Sequence, residues 1–141
     1  MPVIKAFATC LLTGANFSPK RLSQITGLRF ESPSEKGDLN YQGKKYLHGG
    51  ASITIPYHIN QRGKYIELDT MLQVLLMHKE HMEACGVETI YLTLNFFCKS
   101  DIASWHLEHE QLEKIANLGS GLSLDWYQFD EDEELDDKEG V

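Results

Sequence analysis

Histidine and cysteine side chains recur at helical spacing in the second half of the chain. His78, His81 and Cys85 are three and four residues apart, which places them on one face of a helix. Imidazole nitrogen and thiolate sulfur are ligands that zinc prefers, but no second cysteine pair completes a four-ligand set. We therefore expect a solvated helix surface with no metal and no cofactor. A metal-dependent enzyme that adds His106 and His109 to this group is one alternative.

Other patterns that could support catalysis are incomplete. Cys10 and Cys98 lie in apolar stretches, where a thiol usually behaves as a small hydrophobic group. The glycines at 49–50 and 119–121 lack the spacing and the Lys-Ser/Thr ending of a phosphate-binding loop. Carboxylates are plentiful near the end of the sequence, but a solvated run lacks the desolvation that tunes an acid–base pair. The chain is therefore predicted not to be an enzyme.

Negative charge is concentrated in residues 130–141, the acidic segment. The formal net charge of the chain is −8, and this segment holds eight carboxylates against Lys138. They are Asp130, Glu131, Asp132, Glu133, Glu134, Asp136, Asp137 and Glu139. Direct nucleic-acid binding is disfavoured, because the phosphate backbone attracts clustered Lys and Arg. A basic protein partner matches the sign of the charge, whereas a disordered solubilising tail is the other interpretation.

Two pairs of ring-bearing residues precede the acidic segment in the sequence. Trp105 precedes His106 in a predicted loop, and Trp126 precedes Tyr127 in a predicted strand. Exposed aromatic side chains are frequent interface anchors. Because alternate strand residues face opposite ways, we expect one of Trp126 and Tyr127 to pack in the core and the other to face solvent. The predicted partner-binding residues are Asp125, Trp126, Tyr127, Asp130, Glu131, Asp132, Glu133 and Glu134.

The strongest strand signal, from Val87 to Phe97, must position these groups. Apolar residues alternate there with Thr, Tyr and Asn, which predicts one buried face and one half-wet face. Other predicted strands run from Val3 to Thr13, from Ala51 to Tyr57 and from Leu122 to Phe129. The first predicted helix begins at Ser18 and ends at Gly27. The second runs from Thr70 to Ala84, with Asp69 as its N-terminal cap and Gly86 as its stop. The third runs from Glu108 to Leu118, with Gly119 or Gly121 as its stop. An exposed excursion is predicted from Arg29 to His48, partly extended near Tyr41 and Lys45–Leu47, and a turn from Gln61 to Lys64.

Helical spacing also predicts which side chains face inward. Leu22 and Ile25 are expected to face inward in the first helix, and Leu112, Ile115 and Ala116 in the last. Both helices carry Leu-x-x-Ile after a strand and a loop, so a degenerate strand–helix–strand repeat is one interpretation. The fold expected is a single α+β domain, with a mixed or antiparallel sheet and helices mainly on one face.

Composition limits the class of protein. With 141 residues, of which 42% are hydrophobic, the chain can bury one core, and we expect one domain at 1–129 followed by an acidic C-terminal tail at 130–141. No apolar run approaches the length of a membrane span, and the N-terminal residues do not form a signal peptide. The three cysteines lack C-x-x-C spacing, which favours reduced thiols in the cytoplasm.

Two stretches resemble a known bacterial family. Phe7 to Phe30 contains a strand, Gly-x-Asn-Phe-Ser-Pro and Leu-x-x-Ile-x-Gly-Leu, and the closing part reads Ala-x-Leu-Gly followed by Leu-x-Leu-Asp-x-Tyr (Ala116–Gly119 and Leu122–Tyr127). Both resemble domain-of-unknown-function family 4279 over residues 5–129. Members often carry a Trp before a charged turn, which Ser34–Asp38 lacks. The resemblance implies no catalytic residues.

Small acidic α+β chains without a catalytic constellation are similar, as a class, to immunity proteins of bacterial toxin systems. We therefore expect an immunity protein that binds a basic toxin, such as a nuclease delivered by contact between cells, and covers its active site with carboxylates. The alternative is a general protein-interaction or regulatory module without a toxin partner. Fold class alone does not decide between them.

Overall fold

The computed structural model describes residues 3–56, 66–98 and 107–128, which form five strands and four helices. In chain order these are β1 (Val3–Gly14), α1 (Pro19–Thr26), β2 (Glu31–Ser34), β3 (Gly49–Pro56), α2 (Ile66–Met77), α3 (Lys79–Ala84), β4 (Thr89–Cys98), α4 (His109–Leu118) and β5 (Gly121–Gln128). The predicted α+β class is confirmed. The predicted turn from Gln61 to Lys64 and the acidic segment lie outside the described residues.

The strands form one mixed sheet in the order β2-β3-β1-β4-β5. β1 lies antiparallel to β3 on one side and to β4 on the other, and β2 lies antiparallel to β3. β4 and β5 are parallel, because the crossover through α4 returns the chain in the same direction. β1 is therefore the middle strand of this order, and β4, which has the strongest strand signal in the sequence, lies between β1 and β5.

One face of the sheet carries the core. Alternate residues of the strands join buried helix residues in a single cluster, as expected for helices packed on one face. The strand members are Ala8, Cys10, Leu12, Ala51, Ile90, Leu92, Leu94 and Phe96. The helix and loop members are Phe17, Leu22, Leu68, Met71, Leu72, Leu75, Met82, Cys85, Ile115 and Leu118.

Helix α1 begins as the sequence predicts. The Ser18 hydroxyl oxygen accepts a hydrogen bond from the Arg21 backbone N–H at 3.2 Å, Pro19 takes the first helical position, and Gly27 ends the helix with φ of 76°. The inward placement of Ile25 is wrong, since 48% of this residue is exposed while Leu22 is buried. With only two turns, the helix buries Pro19 and Leu22, which are three residues apart.

The long helix differs from its prediction at both its start and its middle. It begins at Ile66, and Asp69 therefore lies inside α2 rather than capping it. No proline or glycine occupies residues 66–68, so nothing stops the helix from extending beyond Asp69. At His78 the backbone departs from helical geometry (φ −103°, ψ 11°), which divides α2 from α3. The predicted stop at Gly86 is confirmed, with φ of 98°.

Helix α4 begins and ends where the sequence predicts, but its buried face is rotated. Leu112 is 49% exposed and Ala116 is also exposed, whereas Gln111, Ile115 and Leu118 are buried. The inward placement of Leu112 and Ala116 is therefore wrong. The buried residues Gln111, Ile115 and Leu118 are still spaced by three or four positions, but the first of them is polar.

Hydrogen bonds explain why the polar residue is inside. The Gln111 side-chain oxygen accepts from the Glu108 backbone N–H at 2.9 Å, which completes a capping box at the start of α4. The Gln111 amide nitrogen donates to the Asp69 carboxylate at 3.0 Å. Because both ends of the amide are paired, its burial is tolerated and ties α4 to α2.

The excursion from Arg29 to His48 contains a strand that the sequence did not predict. β2 is only four residues long and includes Pro33, and its register with β3 shifts between Glu31 and Ser34. Leu39 and Lys45 form an isolated bridge, which agrees with the partly extended backbone expected near Lys45. Elsewhere in the excursion Tyr41 is 94% exposed and Leu47 is 81% exposed, whereas Phe30 is partly buried and packs against the core.

The two halves of the chain share a strand–helix–strand order with one difference. β4 and β5 are parallel neighbours, whereas β1 and β2 are both antiparallel to β3, which lies between them. β1 and β2 therefore run in the same direction without touching. The common order agrees with a repeat, but the origin of that order stays a prediction.

Candidate protein-binding surface

The side of the sheet opposite the helices, here called the open face, carries a different set of side chains. Residues that alternate with the core positions of β1, β3, β4 and β5 lie on this side. They are Phe7, Thr9, Leu11, Thr13, Ser52, Thr54, Thr89, Tyr91, Thr93, Asn95, Phe97, Ser123, Asp125 and Tyr127. Hydroxyl and aromatic residues dominate this set. The half-wet face predicted from the alternation in β4 is this surface.

Hydroxyl groups form cross-strand pairs on the open face. The Thr9 and Thr54 hydroxyl oxygens lie 3.3 Å apart across β1 and β3. A second hydroxyl pair, Thr13 and Thr89, joins the end of β1 to the start of β4. Such pairs stabilise neighbouring strands while each hydroxyl retains further hydrogen-bonding capacity. The middle of the open face can therefore bind polar groups of another molecule.

Three aromatic rings form a stack at one end of the open face. The Phe7 and Phe97 ring centroids are 5.8 Å apart with an angle of 25° between the planes, and those of Phe97 and Tyr127 are 4.7 Å apart with an angle of 15°. Tyr127 ends the stack on the outermost strand and is 45% exposed. Its ring is held by Phe97 while its outer side is accessible, which suits an interface anchor.

A second apolar group lies further along the same face. Leu11 and Tyr91 are directly opposite each other on β1 and β4 and are 41% and 51% exposed. The Tyr91 ring covers Gly121, since a Cβ added there would lie 3.2 Å from the ring. The hydroxyl pair Thr9–Thr54 and the Thr93–Ser123 register position lie between the two apolar groups.

Asp125 is the charged residue of β5, and it stands beside Asn95 in the sheet register. Asn95 is 6% exposed, and its side-chain N–H donates to the Phe7 carbonyl at 3.4 Å. Asp125, by contrast, is exposed. A carboxylate in this position adds negative charge to the open face next to the Tyr127 anchor.

The predicted partner-binding residues divide between two sides of the sheet. Asp125 and Tyr127 share the open face, whereas Trp126 points to the helix side and stacks on Phe96 with 4.3 Å between ring centroids. The prediction that one of Trp126 and Tyr127 packs inward is confirmed. The remaining residues of that set, Asp130, Glu131, Asp132, Glu133 and Glu134, lie outside the described residues.

The histidine and cysteine residues that the structure describes do not assemble a ligand set. The His78 and His81 ring centroids are 5.9 Å apart, and Cys85 is buried in the core at 3% exposure. Within residues 3–56, 66–98 and 107–128, no group of three His, Cys, Asp or Glu side chains could hold a metal ion. His106 lies outside this part of the chain, and the exposed His109 side chain approaches Glu113 only at 3.9 Å.

Cys10 is part of the core, as the sequence predicts. Burial raises the pKa of its thiol from 9.0 to about 12, because the surrounding apolar side chains cannot solvate a thiolate. A thiol in this state is a poor nucleophile near neutral pH. Cys10 therefore contributes packing, and the Cys98 side chain lies outside the described part of the structure.

Two small concavities lie away from the open face. One has a volume of about 390 Å³ between α1 and β2, with Pro19, Phe30 and Pro33 in its lining. The Glu35 carboxylate beside them accepts from the Ser18 hydroxyl and the Lys20 backbone N–H, so it secures the start of α1. The other concavity, of about 190 Å³, has Lys79 at its rim, whose ammonium donates to the Asn117 carbonyl. Both sets of polar groups serve the fold.

Of the exposed side chains on the open face, the predicted partner-binding residues include Asp125 and Tyr127 but not Leu11 and Tyr91. Alternation along the first strand places Leu11 on the face opposite Cys10, and no local signal in the sequence distinguishes a covered second face from an open one. That distinction depends on where all four helices pack, which is a property of the whole sheet. Among the described residues, no helix is long and apolar enough to cross a membrane.

Comparison with family models, with curated proteins and with solved structures gives no match to this chain.

Proposed function

We propose that this chain is an immunity protein that binds and neutralises a basic bacterial toxin domain by covering its active site. The observation that carries the proposal is the open face, which places exposed Leu11, Tyr91 and Tyr127 among hydroxyl groups and beside Asp125. Membership of the resembled family 4279 is part of the same proposal, as is a cytoplasmic location. The protein acts stoichiometrically, without a catalytic residue and without a cofactor.

The composition of the open face supports protein binding. Interfaces between proteins combine a few large side chains, often Tyr, with a surround of polar groups that retain water. Tyr127 is supported from below by the aromatic stack, and Tyr91 is supported by contact with Gly121, so neither ring needs large reorganisation to bind. Pre-positioned rings lose less conformational entropy on binding than mobile ones.

Charge supports a basic partner. Asp125 is exposed on the open face, and the sequence that follows β5 contains the eight carboxylates of the acidic segment. Complementary charge steers association and disfavours partners of the same sign. Nucleases carry basic surfaces because they bind phosphate, so carboxylates of an inhibitor can occupy the positions that phosphates would take. Occlusion of the toxin is then both steric and electrostatic.

Coexpression tests the proposal. A candidate toxin domain, taken from the C-terminal end of a large protein encoded by a neighbouring gene, is expressed in a host with and without this chain, and surviving cells are counted. We expect a toxic domain, rescue by this chain and copurification of the two proteins. A toxic domain that this chain neither binds nor counteracts would contradict the immunity function, and binding without rescue would favour the general interaction module.

A further inference from the structure

We propose that the outer edge of β5 accepts an extended basic segment of the partner, which adds a sixth strand to the sheet. This inference rests on the proposed function and deepens it by naming how the partner binds. The segment would alternate apolar residues with Lys or Arg. The two edges of the sheet, the alternation of side chains along β5 and the position of Asp125 lead to this conclusion.

The two edge strands are built differently. β2 is short, contains Pro33, has a register shift, and places Ser32 at φ of 48°. These features prevent further strand pairing at that edge. β5 is eight residues long, contains no proline or lysine, and pairs with β4 from Gly121 to Gln128 without a register shift. No strand among the described residues pairs with its outer edge.

Apolar side chains along β5 are incompletely covered. Leu122 and Leu124 lie on the helix side, level with Leu92 and Leu94 of β4, yet they are 38% and 37% exposed. The corresponding leucines of β4 are fully buried. A strand added beyond β5 would place its own apolar residues beside Leu122 and Leu124 and complete the covering of this face.

On the open-face side of β5, the charge of Asp125 favours an added strand that carries basic residues. Asp125 is the charged residue of β5 and faces the open side, so the neighbouring residue of an added strand would meet a carboxylate. The acidic segment follows β5 in the sequence and extends the same preference. A second copy of β5 would bring a further Asp125 to this edge, and two chains of net charge −8 repel each other, which favours a basic partner over self-association.

Hydrogen exchange on the intact chain tests strand addition directly. About half of the amide hydrogens of an edge strand point away from its neighbour and exchange quickly until another strand pairs with them. The probe is an eight-residue peptide in which Val and Lys alternate, and its counterpart alternates Val and Glu. We expect the Lys peptide to slow exchange of alternate β5 amides at least about tenfold and to bind about tenfold more tightly than the Glu peptide.

Two variants identify the contacts, with one matched control. Asp125→Lys should weaken binding of the Lys peptide about tenfold and strengthen binding of the Glu peptide, which loss of folding cannot do. Leu124→Lys should weaken binding of both peptides, because it places a charge against the apolar side of the added strand. Leu47→Lys makes the same substitution at a residue that is 81% exposed and just precedes β3, which β1 and β4 separate from β5, and it should leave binding unchanged.

Several outcomes would overturn strand addition. Strand addition is contradicted if the Lys peptide does not bind at about 1 mM, if it binds without protecting β5 amides, or if Asp125→Lys leaves its binding unaltered. Protection of β5 that grows with protein concentration in the absence of peptide would assign the edge to a second copy instead. A toxin complex that rescues cells but leaves β5 amides exchanging freely would overturn this inference while the proposed function stands. Protection of β5 amides by the Lys peptide, together with failure of the chain to rescue toxin-expressing cells, would support strand addition and contradict the proposed function.

Discussion

At the scale of single residues, buried polar groups decide details that hydrophobic spacing alone does not. Gln111 is 1% exposed and turns the inner face of α4 away from Leu112, because its amide pairs with Glu108 and with Asp69. A Leu-x-x-Ile pattern predicted the opposite rotation. The signal that was available is the Glu at 108 followed three residues later by Gln, which is typical of a capping box.

Removal of the Gln111 side chain should destabilise the protein. Gln111→Ala leaves the partly buried carboxylate of Asp69 without this donor and removes the acceptor of the Glu108 N–H, so we expect a loss of about 2 kcal/mol in the free energy of unfolding. Denaturant unfolding measures the change. Leu112→Ala is the matched control at the next residue, and its cost should stay below about 0.5 kcal/mol. Equal costs for the two variants would contradict the assigned rotation of α4.

Cys10 should make stability depend on alkaline pH. Its folded-state pKa of about 12 lies above the ordinary value of 9.0, so the unfolded chain releases the thiol proton first as pH rises. The contribution of this thiol to stability is therefore fully present below pH 9 and is lost as pH rises toward 12. Between pH 8 and 10.5, unfolding free energy should fall about 2 kcal/mol more in the natural protein than in Cys10→Ala. Parallel pH profiles would show that Cys10 is accessible to solvent.

At the scale of elements, the predictable features are those that depend on local chemistry. Ser18-Pro19 and Gly27 bound α1, Gly86 and Gly119 end the later helices, and the alternation in β4 gives its two faces. The start of α2 was missed because Asp69 resembles a cap, while its carboxylate instead pairs with Gln111 in α4. β2 was missed because four polar residues with a proline give no strand signal until β3 lies alongside.

Gly86 illustrates an element boundary that only glycine can form. Its φ is 98°, and an added Cβ would lie 2.9 Å from the Phe17 Cα and 2.7 Å from the Asn16 carbonyl oxygen. Gly27 also has positive φ, at 76°, but an added Cβ would meet nothing within 4 Å.

The two alanine substitutions should therefore differ in cost. Gly27→Ala should lower the free energy of unfolding by about 1 kcal/mol, from backbone strain alone. Gly86→Ala should cost at least about 2 kcal/mol more, because the backbone of residues 16–17 must also move. Thermal and denaturant unfolding of both variants measure the difference. Similar costs would show that the loop between α3 and β4 does not pack closely against residues 16–17.

At the scale of the whole molecule, two asymmetries coincide. Among the described residues, helices cover one side of the sheet and none covers the other. The sequence also carries most of its net charge in the acidic segment that follows β5. The uneven distribution of charge can be read from the sequence, but the difference between the two faces of the sheet cannot, because it depends on how all the helices pack together. The sequence therefore could indicate which stretch of the chain carries the candidate surface, but not which face of the sheet carries it.

The acidic segment should act on the rate of association. Replacing Asp130, Glu131, Asp132, Glu133 and Glu134 by lysine should slow binding of the basic partner at low salt at least about tenfold, and it should flatten the dependence of the rate on salt. Stopped-flow or surface-based kinetics at several salt concentrations measures both quantities. An unchanged rate at low salt would remove the acidic segment from the binding mechanism.

The central claim, that the β5 side of the open face binds the partner, is tested most directly by survival of toxin-expressing cells with two charge-reversed variants. Asp125→Lys changes the open face, and Glu80→Lys makes the same change of charge at an exposed position on α3, on the helix side. We predict that Glu80→Lys rescues as many cells as the natural protein, whereas Asp125→Lys rescues at least about tenfold fewer. Equal rescue by both variants, at equal protein levels, would contradict this account.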